Sequence, residues 1–171
     1  MQEKVFNAIR EVVNAGIIVI EPAGNTGVDI HKVTGKFPPI PSDKQLNPKG
    51  HSPLDAHDSG AIIVGALDGT QIMDGTNSAD RVDLHAWGTM IQTLHPNGIS
   101  EKHGETSGAA ALVAGVAVLA QSAVIANGLP PLNSLEMRHY LKASGSSHVK
   151  GIGVMPNLQR FIDEVLPTIP R

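Results

Sequence analysis

The chain has 171 residues and a mass of 17.9 kDa, one ordinary domain's worth of material and enough to bury a core. With 41% hydrophobic and 17% charged residues it is globular in composition, and 18 glycines and 12 prolines predict many turns. A net charge of −3 without any basic run argues against nucleic acid or an anionic membrane surface as a partner, and the lack of cysteine excludes disulfides, zinc-thiolate sites and cysteine nucleophiles. The N-terminal stretch MQEKVFNAIREVV has no apolar centre of the kind an export signal needs, so no signal peptide is expected in this chain and its compartment stays open.

In chain order, Val5, Ile9, Val12 and Val13 share one helical face over residues 3–15, with Gly16 placed to end the helix. Ile17 to Ile20 then reads as a strand covered on both faces, the pattern of a parallel sheet. Residues 26–57 carry five prolines and no periodicity, which predicts a long irregular segment. Ala61 to Ala66 (AIIVGA) reads as a second buried strand, and Val82 to Ala86 (VDLHA) as a third that alternates and is more exposed.

From about Ser107 to Asn127 the sequence is small and apolar on every side, which predicts a helix in the middle of a protein. Its apolar run Gly108–Ala120 is shorter than the roughly 18 residues needed to span a bilayer, so no membrane partner is expected. Asn133 followed by Glu136 is a capping-box start for a helix to about Ala143, and Leu158, Phe161, Ile162 and Val165 mark a last helix over about 157–166. The whole reads as open α/β, one unit over 1–171, without internal repeats.

Chemistry could sit in two places. Pro22-Ala23-Gly24-Asn25 follows a buried strand, and in open α/β sheets ligands bind at the carboxyl ends of strands, where an Asn amide can face a substrate oxygen. The alternative is an ordinary turn asparagine. Gly104-Glu105-Thr106-Ser107 leads into the apolar helix, whose dipole and free N–H groups would stabilise a developing oxyanion; the alternative is that Thr106 or Ser107 merely caps the helix.

Taken together these segments resemble the subtilisin-like serine proteases, the subtilases of peptidase family S8. GIIVIEPAGNTG is similar to the family's oxyanion-asparagine segment and TSGAAALVAG to its nucleophile-serine motif, with DSGAIIVGA, RVDLHAWG and the closing GIGVMPNL in the family's order between and after them. The resemblance implies a subtilisin-like parallel sheet with helices on both faces, and peptide-bond hydrolysis with Ser107 as nucleophile and Asn25 as oxyanion donor. Pro22, Ala23 and Gly24 would line the pocket for the residue before the cleaved bond, and the Thr106 hydroxyl would stand beside the oxyanion. It implies no cofactor, and no acidic cluster supports a metal site; peptide or protein is the expected substrate.

Subtilases order their triad Asp, His, Ser, with Asp and His upstream of the oxyanion Asn. The residues before Asn25 contain neither, so the expectation is the C-terminal half of a catalytic domain, lacking its first strands and His-bearing helix, inactive alone and paired at its open sheet edge with a complementary N-terminal segment or a second copy. Asp58-Ser59-Gly60 mimics the family's aspartate motif and His103-Gly104-Glu105-Thr106 its histidine motif. Asp58 precedes rather than ends an apolar run, and His103 belongs to the serine segment itself, so neither is assigned a catalytic role. Asp55, His57 and Asp58 form the nearest thing to a metal cluster and read as a solvated loop. Glu105 stands where most subtilases have glycine and Ala111 where they have proline, which keeps open a second reading: an inactive subtilase-like module that binds peptide or protein. Family relatives are often secreted.

Overall fold

A computed structural model describes residues 3–29 and 58–170. The irregular segment expected over 26–57 therefore lies largely outside the described residues, and with it Asp55 and His57.

Helix α1 (Glu3–Asn14) ends where expected: Gly16 turns the chain at φ +85°, and the Ile17 N–H returns to the Val12 carbonyl at 3.2 Å. Its apolar stripe is only partly covered, since Val13 is buried while Val5 and Val12 are exposed. The strand expected at Ile17–Ile20 begins later, as β1 (Ile20–Pro22), with Ile17 exposed. Strand β1 runs parallel to β2 (Ile62–Asp68), and β2 runs parallel to β4 (Leu84–Trp87). The two-residue β3 (Gln71–Ile72) folds back antiparallel onto β2. Strand β4 is buried through Leu84, His85 and Ala86, not half-exposed as its alternation suggested, because its polar positions find partners inside the protein. Asp83 meets Arg81 and Lys142, and His85 Nδ1 lies 3.3 Å from the Ile152 carbonyl.

Strands β5 (Ile91–His95) and β6 (Gly98–His103) form a separate antiparallel hairpin closed by Pro96-Asn97. Helix α2 (Glu105–Ala126) follows, then α3 (Ser134–Ala143), which opens with the expected capping box: Asn133 Oδ1 accepts from the Glu136 N–H and Glu136 Oε2 from the Asn133 N–H, both at 3.0 Å. Strands β7 (Ser146–Val149) and β8 (Gly153–Met155) pair antiparallel, and β8 joins β4 in parallel, giving the order β1-β2-β4-β8-β7. The chain closes with a helical segment that is α over Leu158–Arg160, π over Phe161–Val165 and 3₁₀ over Leu166–Thr168.

One core lies between α2 and the sheet. Ala109, Val113, Ala117, Ala120 and Val124 pack on Ile62, Val64, Ala66, Leu84 and Ala86, and Met137, Leu141 and Phe161 complete the layer. A smaller cluster of Leu67, Ala79, Val82 and Ile152 covers the other side of the sheet. By length and composition α2 could cross a membrane; here one of its faces is the centre of this core, while Leu112, Val118, Leu119 and Ile125 on the rest of it are exposed.

Candidate active site

The carboxyl ends of β1 and β2 carry the first candidate segment. The Ala23 N–H continues the parallel pairing to the Val64 carbonyl at 2.8 Å, and at Gly24 the backbone turns away at φ +97°. Only glycine suits this point, because a Cβ would also run into Asn77 Nδ2 at 2.6 Å. Asn77 holds the loop from outside. Its Nδ2 donates to the Ala23 carbonyl at 3.0 Å, and its Oδ1 accepts from the Thr26 N–H, the Thr26 hydroxyl and the Val28 N–H at 3.1, 2.9 and 2.9 Å. Its own N–H donates to the Gly24 carbonyl at 2.9 Å. An asparagine in a turn-like DGTNSAD stretch gave no sign of this task in the sequence.

Asn25, at the turn of this loop, reaches the start of α2. Its Oδ1 accepts from the Thr106 N–H at 3.1 Å and from the Thr106 hydroxyl at 2.7 Å, and the same hydroxyl accepts from the Gly24 N–H at 3.2 Å. Every partner suits the amide orientation, with oxygen toward two donors and nitrogen toward an acceptor. Thr106 is fully buried and its hydroxyl proton is engaged by Asn25, so it orients the asparagine. The sequence had suggested a hydroxyl standing beside the oxyanion.

The first N–H groups of a helix have no intrahelical partner. In α2 the Glu105 N–H goes to the Gly88 carbonyl at 2.6 Å, the Thr106 N–H to Asn25, and the Gly108 N–H begins the ladder at the Gly104 carbonyl at 2.9 Å. That leaves the Ser107 N–H, beside an exposed Ser107 side chain that has no hydrogen-bond partner among the described residues. The asparagine and the serine segment, over 80 residues apart in sequence, thus meet at one sheet end, with the positive end of a 22-residue helix between them. Pro22 is exposed and Ala23 and Gly24 are half-buried along the strand that leads to Asn25.

Glu105 is the unexpected member of the site. Its Oε2 accepts from Asn25 Nδ2 at 2.9 Å, and its backbone sits at φ +58°, the left-handed region that disfavours side chains.

Asp58 and His103 lie elsewhere in role. Asp58 precedes β2, at the opposite end of the sheet from Asn25, and is 6% exposed. Its carboxylate accepts from Arg138 at 3.0 and 2.7 Å and from Arg81 at 2.8 Å. Burial pushes the Asp58 carboxyl up, but the Arg138 hydrogen bonds and the two guanidinium charges outweigh it and hold it well below the usual carboxylate range. His103 ends β6 and lies against the first turn of α2, where a side chain on Gly108 would meet its ring at about 3.5 Å. Glu21, half-buried on β1, is the nearest acid preceding Asn25 in sequence. Burial raises its pKa against the pull of Arg81, and its Oε2 has no hydrogen-bond partner. Among the described residues no group of acidic or histidine side chains could hold a metal ion.

An asparagine amide locked at a strand end to the threonine preceding an exposed serine brings the two candidate segments together at the carboxyl edge of an α/β sheet. A family model described as the subtilase family (Peptidase_S8) matches residues 1–155, and the chain belongs to that family. No curated protein sequence matches it. Among solved structures it is similar to the self-cleaved protease domain of PatA (TM-score 0.71, 21% identity, 98% of this chain and 56% of that one). It is also similar to the prenylagaramide maturation protease PagA (0.64, 21%, 92% and 53%) and to a cold-adapted subtilisin-like serine proteinase (0.63, 20%, 91% and 49%). The chain thus spans about half the length of the solved chains it resembles, and shares with them the subtilisin-like α/β fold.

Proposed function

We propose that this chain is the serine-bearing half of a subtilase endopeptidase site. Ser107 Oγ attacks the peptide carbonyl carbon while its proton passes to a histidine base, and the carbonyl oxygen, now negative, is held by the Ser107 N–H and the Asn25 amide. As the tetrahedral species collapses, the histidine returns the proton to the departing amine, leaving an ester on Ser107 that water hydrolyses by the same steps. Pro22, Ala23 and Gly24 form one wall for the residue before the cleaved bond. The histidine and the aspartate that orients it come from a longer parent chain or a separate complementary polypeptide.

The observation that carries this reading is the Asn25–Thr106 pair of hydrogen bonds, which fixes an amide donor to the residue beside Ser107. The place of the complementary half is supported by the uncovered apolar side of α2 and by β1, which is the sheet's edge among the described residues.

The test is covalent labelling by a fluorophosphonate probe. The chain alone should label no faster than its Ser107→Ala variant. Together with a subtilase N-terminal half that supplies Asp and His, Ser107 should label and a peptide reporter should be cleaved. Failure with the complex demonstrably formed would favour the second reading, a non-catalytic module that binds peptide or protein, which the Glu105–Asn25 contact specifically supports.

A further inference from the structure

The hydrogen-bond donor that would receive the oxyanion is already engaged by the chain's own carboxylate. Asn25 Nδ2 donates to Glu105 Oε2 at 2.9 Å, and the amide cannot swing away, because its oxygen is held by both the Thr106 N–H and the Thr106 hydroxyl. We propose that Glu105 is an autoinhibitory gate on the oxyanion site, a tethered anion that occupies Asn25 and must leave before the site can work at full rate. The proposal rests on the reading of Asn25 and Ser107 given above.

Three physical points support it. A carboxylate acceptor makes a stronger bond than a neutral carbonyl, so an uncharged substrate does not displace it in the ground state. The amide has a second N–H, but two acceptors sharing one nitrogen lie only roughly 5 Å apart, so an oxyanion there forms beside an existing negative charge. And the Glu105 side chain makes no ion pair among the described residues, while its backbone holds a left-handed conformation that glycine adopts freely. A glycine here would ease the backbone and free the amide together. The side chain is exposed, so a shift in its rotamer alone would open the gate.

The experiment has two readouts. In the chain as it stands, NMR of the Asn25 side-chain amide should show its two protons well separated by the bond to Glu105, with the bonded one moving upfield in Glu105→Gln and further in Glu105→Gly. In the complex with a complementary Asp- and His-bearing half, fluorophosphonate labelling of Ser107 should accelerate in Glu105→Gly by up to about 100-fold, the scale set by loss of one oxyanion donor in a subtilisin. Glu105→Gln, which keeps an acceptor and loses the charge, should fall between. An Asn25 amide indifferent to Glu105 overturns the gate whatever the activity. A responsive amide with labelling unchanged in both variants overturns it also. A responsive amide with no labelling of Ser107 in any variant removes the protease reading and the gate with it, so the two failures are told apart.

Discussion

Asn77 does for the candidate site what no motif announces: with one side chain and one N–H it satisfies five backbone or hydroxyl groups of residues 23–28 and so fixes the loop on which Asn25 is carried. Loop backbone groups need such partners from backbone, side chains or water. Here the tie is a protein group, which anchors the loop carrying Asn25 to the segment around Asn77. Asn77→Ala should therefore cost about 1–2 kcal/mol of stability in urea unfolding, as expected for a few part-exposed hydrogen bonds, while amide exchange at Thr26 and Val28 rises far more than the global change accounts for. Equal changes in local and global protection would show that the loop is held by something else. Glu105 makes the complementary point: its left-handed backbone costs roughly 1 kcal/mol that a glycine would not incur, so the strained residue and the residue touching the donor are the same one.

At the scale of elements, Asp58 shows how a motif-like residue is bound into the frame. It ties the approach to β2 to α3 through Arg138 and to the approach to β4 through Arg81, and Arg81 and Lys142 both reach Asp83. With Asp58 and Arg138 both buried, Asp58→Asn leaves the Arg138 guanidinium without its carboxylate and Arg81 with Asp83 alone, and should destabilise by about 3–5 kcal/mol at pH 7. The folded-state pKa of Asp58 is depressed, so its contribution is complete above the unfolded-state value of about 4 and is lost as pH falls below it toward the folded value. The variant should flatten that acid limb in chemical-denaturation curves taken across pH; an unchanged limb would mean that other carboxylates dominate.

The sequence made some of these elements legible and hid others, for physical reasons. The α3 capping box was readable because both its bonds are local, and α2 because the small, apolar run Gly108–Ala120 is too long for an ordinary strand. The β5–β6 hairpin is not legible although Asn97-Gly98 is a turn signal, since β5 is largely exposed and so lacks the alternation that marks a half-buried strand. The exposure expected of β4 was misread because its ion pairs and the His85–Ile152 contact come from residues distant in sequence. In the site, Asn25 and Thr106 could be named from resemblance, but which atom of Thr106 faces which atom of Asn25, and that Glu105 takes the other side of the amide, depend on a meeting of segments that no local pattern encodes.

For the whole molecule, the apolar surfaces left uncovered bear on the proposal that a complementary half completes the site. Leu112, Val118, Leu119 and Ile125 expose one side of α2, Val5, Val12 and Ile17 expose the region of α1, and a groove of about 380 Å³ lined by Lys4, Val5, Ala8, Ile9, Val12 and Val19 lies open along that helix. Burying residues that are now about half exposed is worth about 1 kcal/mol each, enough in sum to drive association once two such surfaces meet. The chain on its own should therefore self-associate in sedimentation velocity at micromolar concentration, through α2 and the β1 edge, and Val118→Lys combined with Leu119→Glu should shift it toward monomer while leaving unfolding of the dilute monomer little changed, because these side chains are 65% and 56% exposed and contribute little to the core. A complementary subtilase half should compete for the same surface, dissolving the self-associated form and protecting α2 amides from exchange. A chain that sediments as a stable monomer, unchanged by the double substitution, would show that these apolar surfaces are solvated as they stand and that no second polypeptide is needed to cover them.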